Sequence, residues 1–193
     1  MNKIALFMFA EMTDYEITFI THLLHADAGK DVIAVSFDGQ SVKGRSGLRY
    51  EIDKKVSELV AEELDGIIIC GGWFGELRIE LQQLLMELNL KKKLIAGICG
   101  AGTLLLAKAG MLKNVQYTTP ISEWNKKYQE LFGTTDPFPR ANFIAKRVVR
   151  DRNVITAHGN AFIDFAIEIC EFFSLFSSEQ EKSEFSKNII GAI

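Results

Sequence analysis

The chain has 193 residues, of which 48% are hydrophobic, and this is enough for one domain with a sizeable buried core. Its net charge of −3 offers no basic face for nucleic acid, and no apolar run reaches membrane-spanning length. Three irregularly spaced cysteines argue against a disulfide framework and against a CxxC metal site, so we expect a cytoplasmic protein.

The first half of the chain alternates predicted strands and helices. Apolar runs predict buried strands over residues 3–9, 31–37 and 65–72. Alternating residues with three glycines predict a hairpin within 39–53. Helical spacing predicts a short helix over 56–64 and a clearly amphipathic one over 76–88. The segment Thr13-Asp14-Tyr15-Glu16 has the spacing of a capping box, which would open a helix after the first strand.

The second half continues this alternation. We expect a strand over 94–98 with a helix directly after it, a short strand over 115–118, a helix over 121–132 and a loop over 133–143. A hairpin of 147–150 with 154–157 precedes a helix from Phe162, and a second capping box predicts a terminal helix at about 178–190. Such alternation implies a mostly parallel sheet covered on both faces, with ligands at the carboxyl ends of its strands.

The strand over 94–98 leads into the most informative corner of the chain. Cys99 follows this strand directly, and the small residues Gly100, Ala101 and Gly102 then open the next helix. Small neighbours permit a sharp turn, and the free N–H groups at a helix start favour a thiolate over a thiol. Cys99 is therefore a candidate nucleophile, although a small buried hydrophobic role is the alternative.

Three other strand ends offer polar groups that could converge on Cys99. They are Glu16 after the first strand, the segment Cys70-Gly71-Gly72-Trp73 after the third, and His158 after the last. Glu16 has an alternative role in the capping box with Thr13. His158 has an alternative role in a structural turn.

Residues 95–102 (IAGICGAG), the Gly71-Gly72 pair and Glu16 together resemble the ThiJ/PfpI family of the class I glutamine amidotransferase-like superfamily. This resemblance covers nearly the whole chain in the right order. It implies one α/β domain over residues 1–193, with a flavodoxin-like three-layer sandwich in which helices cover both faces of a mostly parallel sheet. It also implies a homodimer or a larger homo-oligomer.

The resemblance further implies a role for each matching residue. Cys99 matches the nucleophilic or oxidation-sensitive cysteine, and Glu16 matches the protonated acid that contacts it. Gly72 matches a strand-end glycine whose N–H, with that of Gly100, could form an oxyanion hole. Two anions in contact would repel, so this arrangement requires a Glu16 with a raised pKa.

Histidine is where the chain departs from the protease-like members. They carry a histidine directly after the nucleophile, where this chain has Gly100. His158 is comparable in position to the catalytic histidine of the wider superfamily, but Asn160 replaces the acid found two residues beyond it. A Cys99–His158 dyad is therefore one hypothesis, and a turn histidine is the other.

Two functions follow from these residues. The first is a cysteine-dependent hydrolase or lyase of the protease, amidase, glyoxalase or deglycase type, acting on a small electrophilic molecule without a cofactor or metal. Trp73 and Arg140 would line its pocket, unless both serve packing or the surface. The second is a redox or stress sensor in which Cys99 is oxidised.

Overall fold

The structure is a computed structural model that describes residues 2–191; Met1, Ala192 and Ile193, which the predicted domain includes, lie outside the described residues. The strands are β1 (Lys3–Phe7), β2 (Asp31–Ser36), β3 (Val42–Lys43), β4 (Arg49–Tyr50), β5 (Lys54–Lys55), β6 (Leu64–Ile69), β7 (Leu94–Ile98), β8 (Val148–Asp151) and β9 (Val154–Ala157). The helices are α1 (Tyr15–His22), α2 (Ile79–Leu90), α3 (Cys99–Lys108), α4 (Lys126–Phe132), α5 (Phe162–Phe172) and α6 (Glu179–Ile190).

One seven-stranded sheet with the order β5-β2-β1-β6-β7-β9-β8 organises the chain. Its strands are parallel except for β8, which pairs antiparallel with β9, as the predicted hairpin requires. The central order β2-β1-β6-β7-β9 is that of flavodoxin-like folds, in which ligands bind beyond the carboxyl ends of the strands. The predicted flavodoxin-like α/β class is confirmed.

The buried strands explain this arrangement. Every residue of β7 is buried, as expected for an inner strand covered on both faces. Helices α2 and α3 pack against β7, while α1 and α5 pack against each other. The predicted small hairpin is also present, because β3 pairs antiparallel with β4 outside the main sheet.

Three segments form less regular structure than predicted. Residues 56–64 do not form a helix but two single 3₁₀ turns, Val56–Glu58 and Ala61–Glu63, because Leu59 and Val60 between them are extended. The predicted strand at 115–118 reduces to one bridge between Tyr117 and Phe143. The predicted helix over 121–132 begins only at Lys126, where the Asn125 side chain caps the Tyr128 N–H at 3.3 Å.

The amphipathic helix predicted over 76–88 instead spans Ile79–Leu90, three residues later at its start. The terminal helix agrees with its prediction, because Ser178 is its N-cap and accepts a hydrogen bond from the Glu181 N–H. No helix within residues 2–191 combines the length and apolar character that crossing a membrane requires.

Candidate active site

Cys99 lies at the corner between β7 and α3 in a strained backbone conformation. Its φ of 62° is in the left-handed region, which a residue with a side chain seldom adopts outside functional turns. The glycines on either side allow the corner to close. A Cβ on Gly97 would come within 2.7 Å of the Gly102 carbonyl oxygen, and one on Gly102 within 2.8 Å of the Ile69 oxygen. The sequence thus holds the thiol on a nucleophile elbow.

Backbone donors surround the Cys99 sulfur. The N–H groups of Gly72 and Gly100 both donate hydrogen bonds to it. Gly72 has a φ of 134°, and its carbonyl accepts the Ala101 N–H at 3.0 Å, which joins the end of β6 to the first turn of α3. The Thr103 hydroxyl donates to the Cys99 carbonyl at 2.6 Å and so secures the elbow from within the helix. The predicted pair of glycine donors therefore faces the sulfur.

Glu16 projects from the first turn of α1 toward the thiol. Its side chain forms a hydrogen bond with Cys99, and the residue is only 1% exposed. The capping-box alternative is wrong, because the N-cap of α1 is Asp14 and no side chain caps this helix end. The Thr13 N–H instead donates to the Gly71 carbonyl at 2.9 Å, which ties the loop before α1 to the end of β6.

Two glycines make room for the contact between Glu16 and Cys99. A Cβ on Gly71 would lie 1.8 Å from Glu16 Oε2 and 2.5 Å from Cys99 Cβ. A Cβ on Gly159 would lie 2.3 Å from Glu16 Oε1 and 2.9 Å from Cys99 Sγ. The carboxyl and thiol groups are therefore enclosed between two backbone segments that no larger residue could form.

This enclosure controls the protonation of the pair. Burial raises the pKa of Glu16 from 4.5 to about 7, and hydrogen bonding to Cys99 and the nearby Gly71 backbone offset it only in part. Glu16 Oε2 is buried and has no hydrogen-bond partner in the described part of the chain, which further favours the neutral carboxyl group. Burial and the charge of an ionised Glu16 raise the pKa of the Cys99 thiol to about 11.

The two groups therefore hold one proton between them over a wide pH range, and they titrate as a unit. A proton on Glu16 removes the repulsion between like charges, while the Gly72 and Gly100 N–H groups continue to stabilise a negative sulfur. The start of α3 adds the partial positive charge of a helix N-terminus at the same place. These contacts oppose the effect of burial on the thiol, and so stabilise the minor form of the pair in which Cys99 is a thiolate and Glu16 an acid.

His158 lies beside this pair without joining it. Its backbone is next to Gly159, but within residues 2–191 no hydrogen bond links its ring to Cys99 or Glu16. Burial and the charge of Arg147 lower the pKa of the His158 ring. A Cys99–His158 dyad stays a prediction that no contact of the described residues supports.

Arg140 and Trp73 make their contacts with the loop and helix near the site rather than with the acid–thiol pair. Arg140 pairs with Asp136 at 2.7 Å and donates to the Ile121 carbonyl at 2.7 Å, so its guanidinium holds the loop over 133–143 against the segment before α4. Trp73 is 51% exposed and stacks on Tyr128 and Phe132 of α4, with ring centroids 5.9 and 6.4 Å away. Both act on the loop and helix around the site, and their predicted role in a pocket stays a prediction.

Sequence reasoning assigned no role to three residues that shape the site. Gly71 and Gly159 provide the space for the acid–thiol contact, and Asp14 fixes the start of α1 by accepting from Ser46 and from the Tyr50 hydroxyl at 2.9 Å. The position of Gly159, one residue after a strand-end histidine, was the available signal for that glycine. Within residues 2–191, no three His, Cys, Asp or Glu side chains converge as metal ligands would.

Known proteins resemble this chain over almost its whole length. The protein named uncharacterized protease YoaZ of Bacillus subtilis is 28% identical over 97% of this chain and 90% of its own. Uncharacterized protease YdeA of the same organism is 27% identical over 93% and 87%.

Solved structures give the same result. A DJ-1 superfamily protein from Agrobacterium tumefaciens superposes with a TM-score of 0.80 at 25% identity, covering 100% of this chain and 98% of that one. A ThiJ/PfpI family protein from Bacillus anthracis does so with a TM-score of 0.75 at 25% identity, over 97% and 90%. The model of the DJ-1/PfpI family matches residues 2–172, and the chain belongs to that family.

Proposed function

We propose that this protein is a cysteine-dependent hydrolase or lyase that acts on a small electrophilic carbonyl or amide. The observation that carries the proposal is the buried, hydrogen-bonded pair of Glu16 and Cys99, with two backbone N–H groups at the sulfur. The pair supplies a nucleophile and a proton donor within contact distance of each other. The protease names of the Bacillus subtilis relatives accord with a hydrolytic reaction.

In the first step, the Cys99 thiolate attacks the substrate carbon and forms a carbon–sulfur bond. The electron pair of the carbon–oxygen double bond moves onto oxygen, and the Gly72 and Gly100 N–H groups stabilise the negative charge that develops there. Glu16 gives its proton to this oxygen when an aldehyde forms a hemithioacetal, or to the leaving nitrogen when an amide forms a thioester. Glu16 ends this step as a carboxylate.

In the second step, the same carboxylate serves as the base. For a thioester, Glu16 removes a proton from the attacking water, and the thiolate leaves as the tetrahedral intermediate collapses. The proton on Glu16 then restores the starting pair. This cycle uses no histidine, which fits the presence of Gly100 where protease-like relatives carry one.

Turnover of methylglyoxal and of a p-nitroanilide amide would test the proposal. Cys99→Ala should lower kcat/KM at least about 10³-fold, because the nucleophile is lost. Cys170→Ala is the matched control, since Cys170 is a buried thiol of α5 and makes no contact with Glu16 or Cys99 among the described residues. Activity that survives in Cys99→Ala would refute the proposal.

A second function, redox sensing, is favoured by the same contact. The Cys99 thiolate would be oxidised by a peroxide to a sulfenate with release of water, and a second peroxide would give a sulfinate whose oxygen Glu16 could hydrogen bond. A solved structure of Toxoplasma gondii DJ-1 is described as oxidized. Stoichiometric addition of one or two oxygen atoms at Cys99, with no turnover of either substrate, would favour this function over the enzyme.

A further inference from the structure

A cavity of about 370 Å³ opens next to the candidate active site. Its polar and cationic lining comes from Thr119, Ser122, Lys146, Arg147, His158 and Asn160. Cavities of this size accommodate small organic ligands, and a few placed polar groups fix their orientation. The proposed chemistry at Cys99 and Glu16 assigns no role to these groups.

The cavity is linked to the thiol through residues adjacent to its lining. His158 and Asn160 line it on either side of Gly159, and a Cβ on that glycine would come within 2.9 Å of Cys99 Sγ. On the other side, the Thr119 hydroxyl lies 2.8 Å from the hydroxyl of Thr103, which in turn bonds to the Cys99 carbonyl. A substrate held at the sulfur would therefore have this cavity beside it.

The lining is positively charged. It contains Lys146 and Arg147, and no acidic residue of the described part of the chain belongs to it. Arg147 is paired with Asp164 at 2.8 Å and also donates to the Asn160 carbonyl at 3.0 Å. Lys146 is the charge of the lining that has no ion-pair partner among residues 2–191. The backbone of Lys146 is fixed, because its carbonyl accepts the Thr118 hydroxyl at 2.6 Å and its N–H donates to the Ile144 carbonyl at 2.9 Å.

We propose that this cavity is an anion subsite, in which Lys146 binds a carboxylate carried by the substrate while its reacting carbon meets Cys99. The inference deepens the proposed function and rests on it. The substrate class is therefore a small carbonyl or amide compound that carries a carboxylate close to the reacting carbon.

The charged groups of the cavity favour a ligand with a single negative charge. One unpaired ammonium matches a carboxylate, whereas a phosphate dianion would require a second free cation. The Ser122 hydroxyl and the Asn160 amide make no side-chain hydrogen bond within residues 2–191, so both are free to donate to a carboxylate oxygen. The His158 ring, with its pKa lowered by burial and Arg147, is neutral at pH 7.5 and can add an N–H donor.

Two alkylating reagents of nearly equal size test the subsite without a known substrate. Iodoacetate carries a carboxylate one bond from the carbon that Cys99 attacks, and iodoacetamide carries a neutral amide there. The rate constants for both are measured on native protein at pH 7.5, with the modified cysteine identified by mass spectrometry. The ratio of the two rate constants at Cys99 is compared with the ratio for free glutathione, a reference thiol. The same ratio is measured in Lys146→Gln and in the control variant Lys113→Gln, since Lys113 is exposed and lies outside the cavity.

We expect the iodoacetate-to-iodoacetamide ratio at Cys99 to exceed that of glutathione by about twofold to fivefold, the range for a solvent-exposed charge pair. Lys146→Gln should return the ratio to the glutathione value and leave the iodoacetamide rate within about twofold, while Lys113→Gln should change neither. A wild-type ratio no greater than that of glutathione, or an equal loss in both variants, would overturn the subsite. A Cys99 that fails to react with iodoacetamide would instead overturn the proposed function.

Discussion

Replacing Glu16 by glutamine should remove a pH-dependent destabilisation from the folded protein. Burial raises the pKa of Glu16 from 4.5 to about 7, so the folded state keeps a proton that the unfolded state has lost over this interval. The unfolded state then binds fewer protons, and the free energy of unfolding falls as pH rises from about 4.5 to 7. At about 1.4 kcal/mol for each pH unit, the free energy of unfolding falls by about 3 kcal/mol over this interval.

Because Glu16 and Cys99 titrate as a unit, this loss does not depend on which of the two atoms gives up the proton. Glu16→Gln keeps the shape of the side chain and an N–H donor toward the sulfur but has no carboxyl proton to lose. The variant should match wild type within about 1 kcal/mol at pH 5 and exceed it by about 2–3 kcal/mol at pH 8.

Urea unfolding at pH 5 and pH 8, followed by circular dichroism, measures this difference directly. Glu123→Gln is the matched control, since Glu123 is an exposed carboxylate before α4, and it should keep the wild-type pH dependence. The contributions of all other titrating groups to the pH dependence are the same in each protein and cancel when the proteins are compared. An equal fall of stability with pH in wild type and Glu16→Gln would refute the burial of an ionisable carboxyl beside Cys99.

Two further predictions follow from contacts around the site, and a third follows from the family resemblance. Tyr50→Phe should cost about 1–2 kcal/mol by removing a hydrogen bond to the Asp14 carboxylate, whereas Tyr128→Phe, whose hydroxyl bonds to no described residue, should cost much less in the same urea titration. Gly159→Ala should lower stability by about 1–3 kcal/mol and abolish native alkylation of Cys99, because its methyl group would displace the acid and thiol; unchanged alkylation would contradict the contact. For the homo-oligomer that the family resemblance implies, sedimentation velocity should detect a homodimer or a larger assembly, and a monomer at micromolar concentration would contradict that expectation.

The fold could be predicted from the sequence because its strands are buried on both faces. A short continuous apolar run such as the one ending at Ile98 fits few structures other than an inner strand of a parallel sheet. The wrong predictions concern segments in which tertiary contacts override the local preference for a helix or a strand. Residues 56–64 carry helix-forming residues, but Leu64 is drawn into the sheet beside Lys3.

The nucleophile of the candidate site could be predicted from the sequence, whereas the residues that surround it could be predicted only in part. The small residues around Cys99 reveal a sharp turn, and the turn identifies the thiol. Glu16 was ambiguous because its spacing from Thr13 equally fits a capping box. The roles are decided by the Asp14 N-cap and by the hydrogen bond from the Thr13 N–H to the Gly71 carbonyl, which the sequence does not show. The contributions of Gly71 and Gly159 depend on distances across the fold, which local spacing does not contain.

The pH profile of Cys99 alkylation by iodoacetamide tests most directly whether the pair exists as a thiolate and an acid. The rate at Cys99 should rise up to about pH 7, where the pair loses its first proton, and then level off by pH 8, because the part of the pair that holds the remaining proton on Glu16 reacts as a thiolate. Glu16→Gln should remove this step. A rate that rises tenfold with each pH unit from pH 6 to pH 9, with no level region between, would place the proton on sulfur and the charge on Glu16, and would contradict an activated Cys99.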